Sequence, residues 1–308
     1  MEYIKMINEL HKELISKISG TVSASEPLKN HTYFKIGGPA DLFAEPDNID
    51  ELKTVFKIIK KYNINYYIIG NGTNLLVSDE GFRGIIIKIG EKFNYINKEG
   101  SLIRAGAGTP LSVLAKYAAR EGLAGFEFAS GIPGFVGGAV CMNAGAYGGE
   151  MCDVIKEVKC LDNDGKLYIF NNKDMDFGYR HSRVSDTDLI VLEVEIELQP
   201  GNEKDIFKKI SELNEKRTTK QPISMPSAGS TFKRPLNGYA SKLIEDAGLK
   251  GLIYRGAMVS DKHCGFIVNY DNASCEDVLE LMRIVISIVY DKFGIKLEPE
   301  IKIIGASL

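Results

Sequence analysis

Between Gly125 and Gly149 the chain carries eight glycines in 25 residues. No other feature constrains the fold as much. A stretch so poor in Cβ atoms takes backbone conformations closed to other residues and lets a flat molecule lie directly on the main chain. It reads Gly131-Ile132-Pro133-Gly134-Phe135-Val136-Gly137-Gly138-Ala139-Val140, then Asn143-Ala144-Gly145-Ala146-Tyr147-Gly148-Gly149. A flexible linker is the alternative, but Ile132, Phe135, Val136 and Val140 supply apolar anchors that Gly/Ser linkers lack.

The flanking chain alternates short β-branched runs with helical patterns. Tyr66 to Ile69 reads as a buried strand feeding the loop Gly70-Asn71-Gly72-Thr73-Asn74, with a second strand at Gly84 to Ile89. Pro110 to Glu121 reads as a helix closed by Gly122, and Asn163-Asp164-Gly165 predicts a hairpin between Val154–Leu161 and Lys166–Phe170. Ile190 to Leu198 alternates apolar with more polar residues, as a half-buried strand does. Composition shifts near Gly201-Asn202. Beyond it, helices are predicted over Asp205–Lys216, Tyr239–Ala247 and from Ser274, an N-cap, to about Lys292. Strand-like runs at Ile253–Val259, Gly265–Asn269 and Ile301–Ile304 complete an α+β pattern.

Composition excludes several classes. A net charge of −3 offers no general field for nucleic acid, leaving room only for a local basic pocket. Five cysteines, an odd number without a C-x-x-C pair, argue against a disulfide framework or a zinc site, and the four histidines lack metal-ligand spacing. The N-terminal residues up to Ile18 form an amphipathic helical pattern and not a signal peptide, and the apolar stretch Leu281–Tyr290 is too short to span a bilayer. A cytoplasmic protein without membrane insertion is expected.

Several segments could carry chemistry. Successive backbone N–H groups in the Gly70–Asn74 loop can form an anion nest suited to a pyrophosphate; an ordinary turn is equally open. It departs from the Rossmann fingerprint, because Leu75 stands where a third glycine belongs. In Phe177-Gly178-Tyr179-Arg180-His181-Ser182-Arg183, Arg180 could clamp a carboxylate, although arginines are more often surface residues. Lys220, Lys233 and Arg234 make a local positive cluster. Ser230 follows Gly229 in a loop, where a serine is usually a turn residue. Glu298 and Glu300 share a face if extended, with solvated carboxylates as the plain alternative.

Taken in order, Thr32-Tyr33-Phe34-Lys35-Ile36-Gly37-Gly38-Pro39-Ala40, the Gly70–Leu76 loop, the glycine-rich segment, Tyr179-Arg180-His181-Ser182, Ala228-Gly229-Ser230-Thr231-Phe232-Lys233 and Leu297-Glu298-Pro299-Glu300 resemble the UDP-N-acetylenolpyruvoylglucosamine reductase (MurB) family. The resemblance covers nearly the whole chain past the first helix. It implies an α+β fold: a vanillyl-alcohol-oxidase-type FAD-binding domain over residues 31–202, with subdomains about 31–90 and 91–202, and a smaller substrate domain over 203–308, after an N-terminal lead-in of residues 1–30. It implies a monomeric peptidoglycan-precursor enzyme that takes electrons from NADPH onto non-covalent FAD and passes hydride to the enolpyruvyl group of a UDP-sugar.

The residues carried over by this likeness are Arg180, Ser230 and Glu300 as catalytic, with Ser230 the proton donor, Arg180 the fixed charge and Glu300 its helper. Cofactor contacts fall on Ile36, Gly37, Gly70, Asn71, Gly72, Thr73, Asn74 and Leu75, and on Ser130, Gly131, Ile132, Pro133, Gly134, Gly137, Gly138 and Asn143. Lys220, Lys233, Arg234 and Tyr147 are the substrate-binding candidates. Only five residues lie between Arg183 and Leu189, so the tyrosine-loop insertion of the longer branch is absent, and Arg234 stands where that branch has asparagine. Two rival classes are an oxidase of the wider flavin superfamily with covalent FAD, and a nucleotide-binding module without turnover.

Overall fold

The computed structural model describes residues 2–236 and 238–308. They pack as two compact units: the chain up to Ser23 with Leu42–Asn71 and Ile85–Arg217, and Ala24–Asp41 with Gly72–Gly84 and Thr218–Leu308. This partition cuts the chain differently from 31–202 and 203–308. Two early segments join the C-terminal part, while most of the helix Glu203–Lys220 stays with the first unit.

In the first unit, the helix Glu2–Lys17 buries Leu10 and Leu14 in the same core as Leu52, Val55 and Phe56 of the helix Ile49–Tyr62. Asn48 caps the second helix by accepting from Glu51 N at 3.0 Å, and Asn63, in the left-handed region at φ 48°, stops it. The strand Tyr66–Ile69 runs parallel to Ile85–Lys88. An antiparallel five-stranded sheet has the order Leu167–Asn171, Ile155–Leu161, Ile190–Glu197, Leu102–Gly106, Ile96–Glu99. Ile190–Glu197 lies at its centre, so the expected alternation gives way to burial on both faces. Glu195, caught inside, is matched by Arg104 at 2.7 Å and Lys156 at 3.5 Å.

In the second unit, the helix Cys275–Phe293 turns Val278, Leu281, Met282, Val285 and Val289 into a core shared with Phe34 and Leu76. The anticipated N-cap is there: Ser274 accepts from Asp277 N at 3.0 Å while Asp277 accepts from Ser274 N at 3.0 Å. The run Ile253–Val259 breaks into a hairpin at Arg255 (φ 48°) and Gly256. The strand Leu75–Val77, hidden in the predicted loop-to-strand passage, pairs in parallel with Lys302–Ile304. Among the described residues no helix is long and apolar enough to cross a membrane.

Candidate functional site

The glycine-rich segment of the first unit is not loop throughout: Val136–Cys141 is a six-residue helix. Its start is pinned by Val136 N to Thr109 O and Gly137 N to Ala107 O, both 2.9 Å, and a Cβ on Gly137 would lie 3.0 Å from the Ala107 Cβ. Packing therefore explains Gly137. It does not explain Gly138, where a Cβ would meet nothing within 4 Å although glycine costs a helix about 1 kcal/mol. The strand-end loop reaches this segment through Asn71, whose Nδ2 donates to Pro133 O at 2.9 Å.

Arg217, which opens the basic stretch Arg217–Lys220 but has no role of its own in the sequence motifs, also reaches the segment. One guanidinium nitrogen, Nη1, donates to Gly131 O, and the Tyr147 side chain hydrogen-bonds the same group. Among the described residues, Arg217 Nε is the one buried side-chain nitrogen or oxygen without a hydrogen-bond partner. Burial pulls the guanidinium below its ordinary pKa, Tyr147 opposing, yet an arginine stays charged. A largely desolvated cation with an orphaned donor suits an anionic or carbonyl-rich ligand.

Asn143 is 1% exposed and its amide is fully engaged: Nδ2 donates to Glu150 Oε2 at 2.7 Å and Gly178 O at 3.0 Å, while Oδ1 accepts from Cys152 N at 3.0 Å. It braces the chain next to Arg180. Arg180 sits at φ 54° with its guanidinium over the Tyr179 ring, 5.1 Å from the centroid.

In the second unit, Gly72 is obligatory. It stands at φ 63°, and a Cβ would fall 1.9 Å from His31 O, while Gly72 O accepts from Tyr33 N at 3.1 Å. Gly72→Ala must adopt a left-handed conformation costing about 1–2 kcal/mol and displace backbone as well, so we expect a loss of at least about 2 kcal/mol in urea unfolding. An unchanged midpoint would contradict this placement. Gly37 (φ 142°) is held as closely, with a Cβ 2.9 Å from Val77 Cβ; Ile36 and Gly37 line a cleft of about 550 Å³ that also takes in Lys29, Lys35 and Asn269.

Ser230 and Glu300, 70 residues apart, lie on paired segments of this unit. Phe232 and Pro299 form an antiparallel bridge, with Lys233 N donating to Glu298 O and Glu300 N to Thr231 O, both 2.8 Å. Asn74 Nδ2 donates to Glu300 O at 3.2 Å, tying in the end of the Gly72–Asn74 loop. Ser230 is half-buried and rigidly based. Gly229 before it is at φ 79°; Thr231 after it donates its N–H to Gly265 O and accepts from Ile267 N through Oγ1. Lys233 is paired with Glu298 at 3.2 Å, Arg234 stacks over Tyr239 at 4.4 Å, and Lys220 is exposed at a helix end.

Comparison with known proteins decides the family. A family model described as an FAD binding domain matches residues 40–171, and one described as the UDP-N-acetylenolpyruvoylglucosamine reductase C-terminal domain matches residues 221–304. The chain is 48% identical over 303 residues to the Clostridioides difficile (strain 630) UDP-N-acetylenolpyruvoylglucosamine reductase, covering 98% of this chain and 97% of that one. The chain belongs to the UDP-N-acetylenolpyruvoylglucosamine reductase family. A second reductase of this family, from Caldanaerobacter subterraneus subsp. tengcongensis, is 51% identical over 96% of both chains. The crystal structure of the Thermus caldophilus reductase matches with a TM-score of 0.80 at 36% identity, covering 93% of this chain and 99% of that one. Membership makes the chain an FAD-dependent oxidoreductase. Within the first unit the residues present fit that cofactor: the uncovered backbone at Gly138 and the orphaned Arg217 Nε supply close approach and a cation.

Proposed function

We propose that the chain reduces UDP-N-acetylenolpyruvoylglucosamine to UDP-N-acetylmuramate with NADPH, in two half-reactions. The observation that carries this reading is the 48% identity to a reductase of that name over 98% of the chain. When bound, FAD supplies the two-electron chemistry between the two substrates. The chain's own residues do the rest. Gly70–Leu75, Ser130–Gly134, Gly137 and Gly138 hold the cofactor, with Arg217 as a cation against it. Lys220, Lys233, Arg234 and Tyr147 engage the sugar nucleotide, Lys233 exchanging its Glu298 partner for a diphosphate.

Addition of two electrons and a proton to the enolpyruvyl double bond drives negative charge toward its carboxylate. Arg180, permanently charged, stabilises that charge as it develops. Ser230 gives its hydroxyl proton to the carbon bearing the carboxylate and regains one from solvent; a carbanion-like centre is basic enough to take it. Glu300 orients the acid.

Without air, the purified chain should be yellow, lose its colour with NADPH, and regain it with the enolpyruvyl sugar nucleotide, whose mass rises by two hydrogens. A colourless chain, or one that recovers colour only with oxygen, defeats the proposal.

A further inference from the structure

Arg180 is carried on a turn that needs external support. Gly178 N donates to His181 O at 3.1 Å and His181 N to Gly178 O at 3.2 Å, leaving Tyr179 and Arg180 at the tip. Arg180's positive φ costs about 1–2 kcal/mol, so the turn depends on its flanks. Asn143 braces one flank through Gly178 O. The other is held by a ring. His181 Nδ1 lies 2.9 Å from Asp176 O, and Nε2 lies 2.6 Å from Asp186 Oδ2. A backbone carbonyl and a carboxylate only accept, so both contacts are satisfied at once only when both ring nitrogens carry hydrogen. The charges around the ring are those of Asp186 and Asp176, the second shared with Arg183 Nη2 at 2.8 Å, together with the adjoining Arg180.

We propose that His181, as an imidazolium bridging Asp176 and Asp186, is the positioning residue that clamps the Arg180 turn, so that productive placement of Arg180 depends on one proton. This rests on the role proposed for Arg180 above. The Asp186 carboxylate first, and the Asp176 carbonyl second, raise the His181 pKa above the usual histidine value of about 6.5. The sign follows. The clamp is complete below about pH 6.5 and is lost as pH climbs through the raised value.

With only four histidines in the chain, imidazole NMR can follow each ring, and His181 is identified by the resonance missing from His181→Gln. We expect His181 to titrate above about 6.5 in the holoenzyme. Colour recovery with the enolpyruvyl sugar nucleotide should fall along the same curve, about tenfold overall, as a slight misplacement of a charged group does. His181→Gln should recover slowly and without that limb, His181→Arg should keep fast recovery across it, and bleaching by NADPH should be untouched in both. A His181 titrating at or below about 6.5, or a His181→Gln profile that keeps the wild-type limb, overturns the proposal. Arg180→Met separates the two ideas: if it recovers at the wild-type rate while His181 titrates as stated, the role of Arg180 falls and the imidazolium bridge stands.

Discussion

Ser230→Ala should bleach with NADPH at the wild-type rate and then regain colour with the enolpyruvyl sugar nucleotide about 10²- to 10⁴-fold more slowly, the usual worth of a positioned general acid. The separation follows from chemistry: NADPH brings its own hydride and asks no proton of a serine, whereas completing the reduced sugar requires one at carbon. The variant should fold normally. The bonds that fix this position belong to its neighbours, Thr231 N to Gly265 O and Ile267 N to Thr231 Oγ1. Only a half-buried hydroxyl is removed. Stopped-flow absorbance measures both rates on one sample. If the second rate survives intact, another group supplies the proton.

Arg180→Met should slow the same step about 10²- to 10³-fold, the cost of losing one electrostatic partner of developing charge. Methionine keeps an unbranched stem and removes only the cation, so the effect reads charge more than packing. The loss should fall mainly on the rate at saturating sugar nucleotide, because charge at the carboxylate builds as the double bond is consumed. Loss confined to apparent affinity would make Arg180 a simple carboxylate anchor. Lysine is a poor substitute here, since its point charge lacks the planar fork and the stacking that puts Arg180 5.1 Å from the Tyr179 ring centroid.

The clearest features in the sequence were the short-range ones. The Ser274–Asp277 cap, the hairpin turn at Asn163-Asp164-Gly165 and the helix Leu111–Arg120 all depend on residues within a few positions of each other, and all are present. Local pattern misled where distant chain decides burial or pairing. Leu75–Val77 is too short to stand out, and it becomes a strand because Lys302–Ile304 lies beside it. Val136–Cys141 was masked by two glycines that disfavour a helix; Thr109 O and Ala107 O anchor it. Arg217 opens the basic stretch Arg217–Lys220, yet nothing local gave it a role of its own, because an orphaned Nε exists only once burial has removed water.

The sequence alone determined the α+β class, the cap at Ser274 and the motifs that mark a flavin-dependent reductase, because caps, turn residues and motif identities act over a few residues; the helix Ile49–Tyr62 and the extension of Glu203–Lys220 past Lys216 were not legible in it. Tertiary structure alone decided that Ser230 and Glu300 lie on hydrogen-bonded segments, that Asn143 spends its amide bracing the Arg180 turn, and that His181 bridges two acceptors. The physical reason is distance along the chain. The bond from Asn74 to Glu300 spans 226 positions. A contact so remote exists only after the intervening core has closed the loop, and no local preference encodes it.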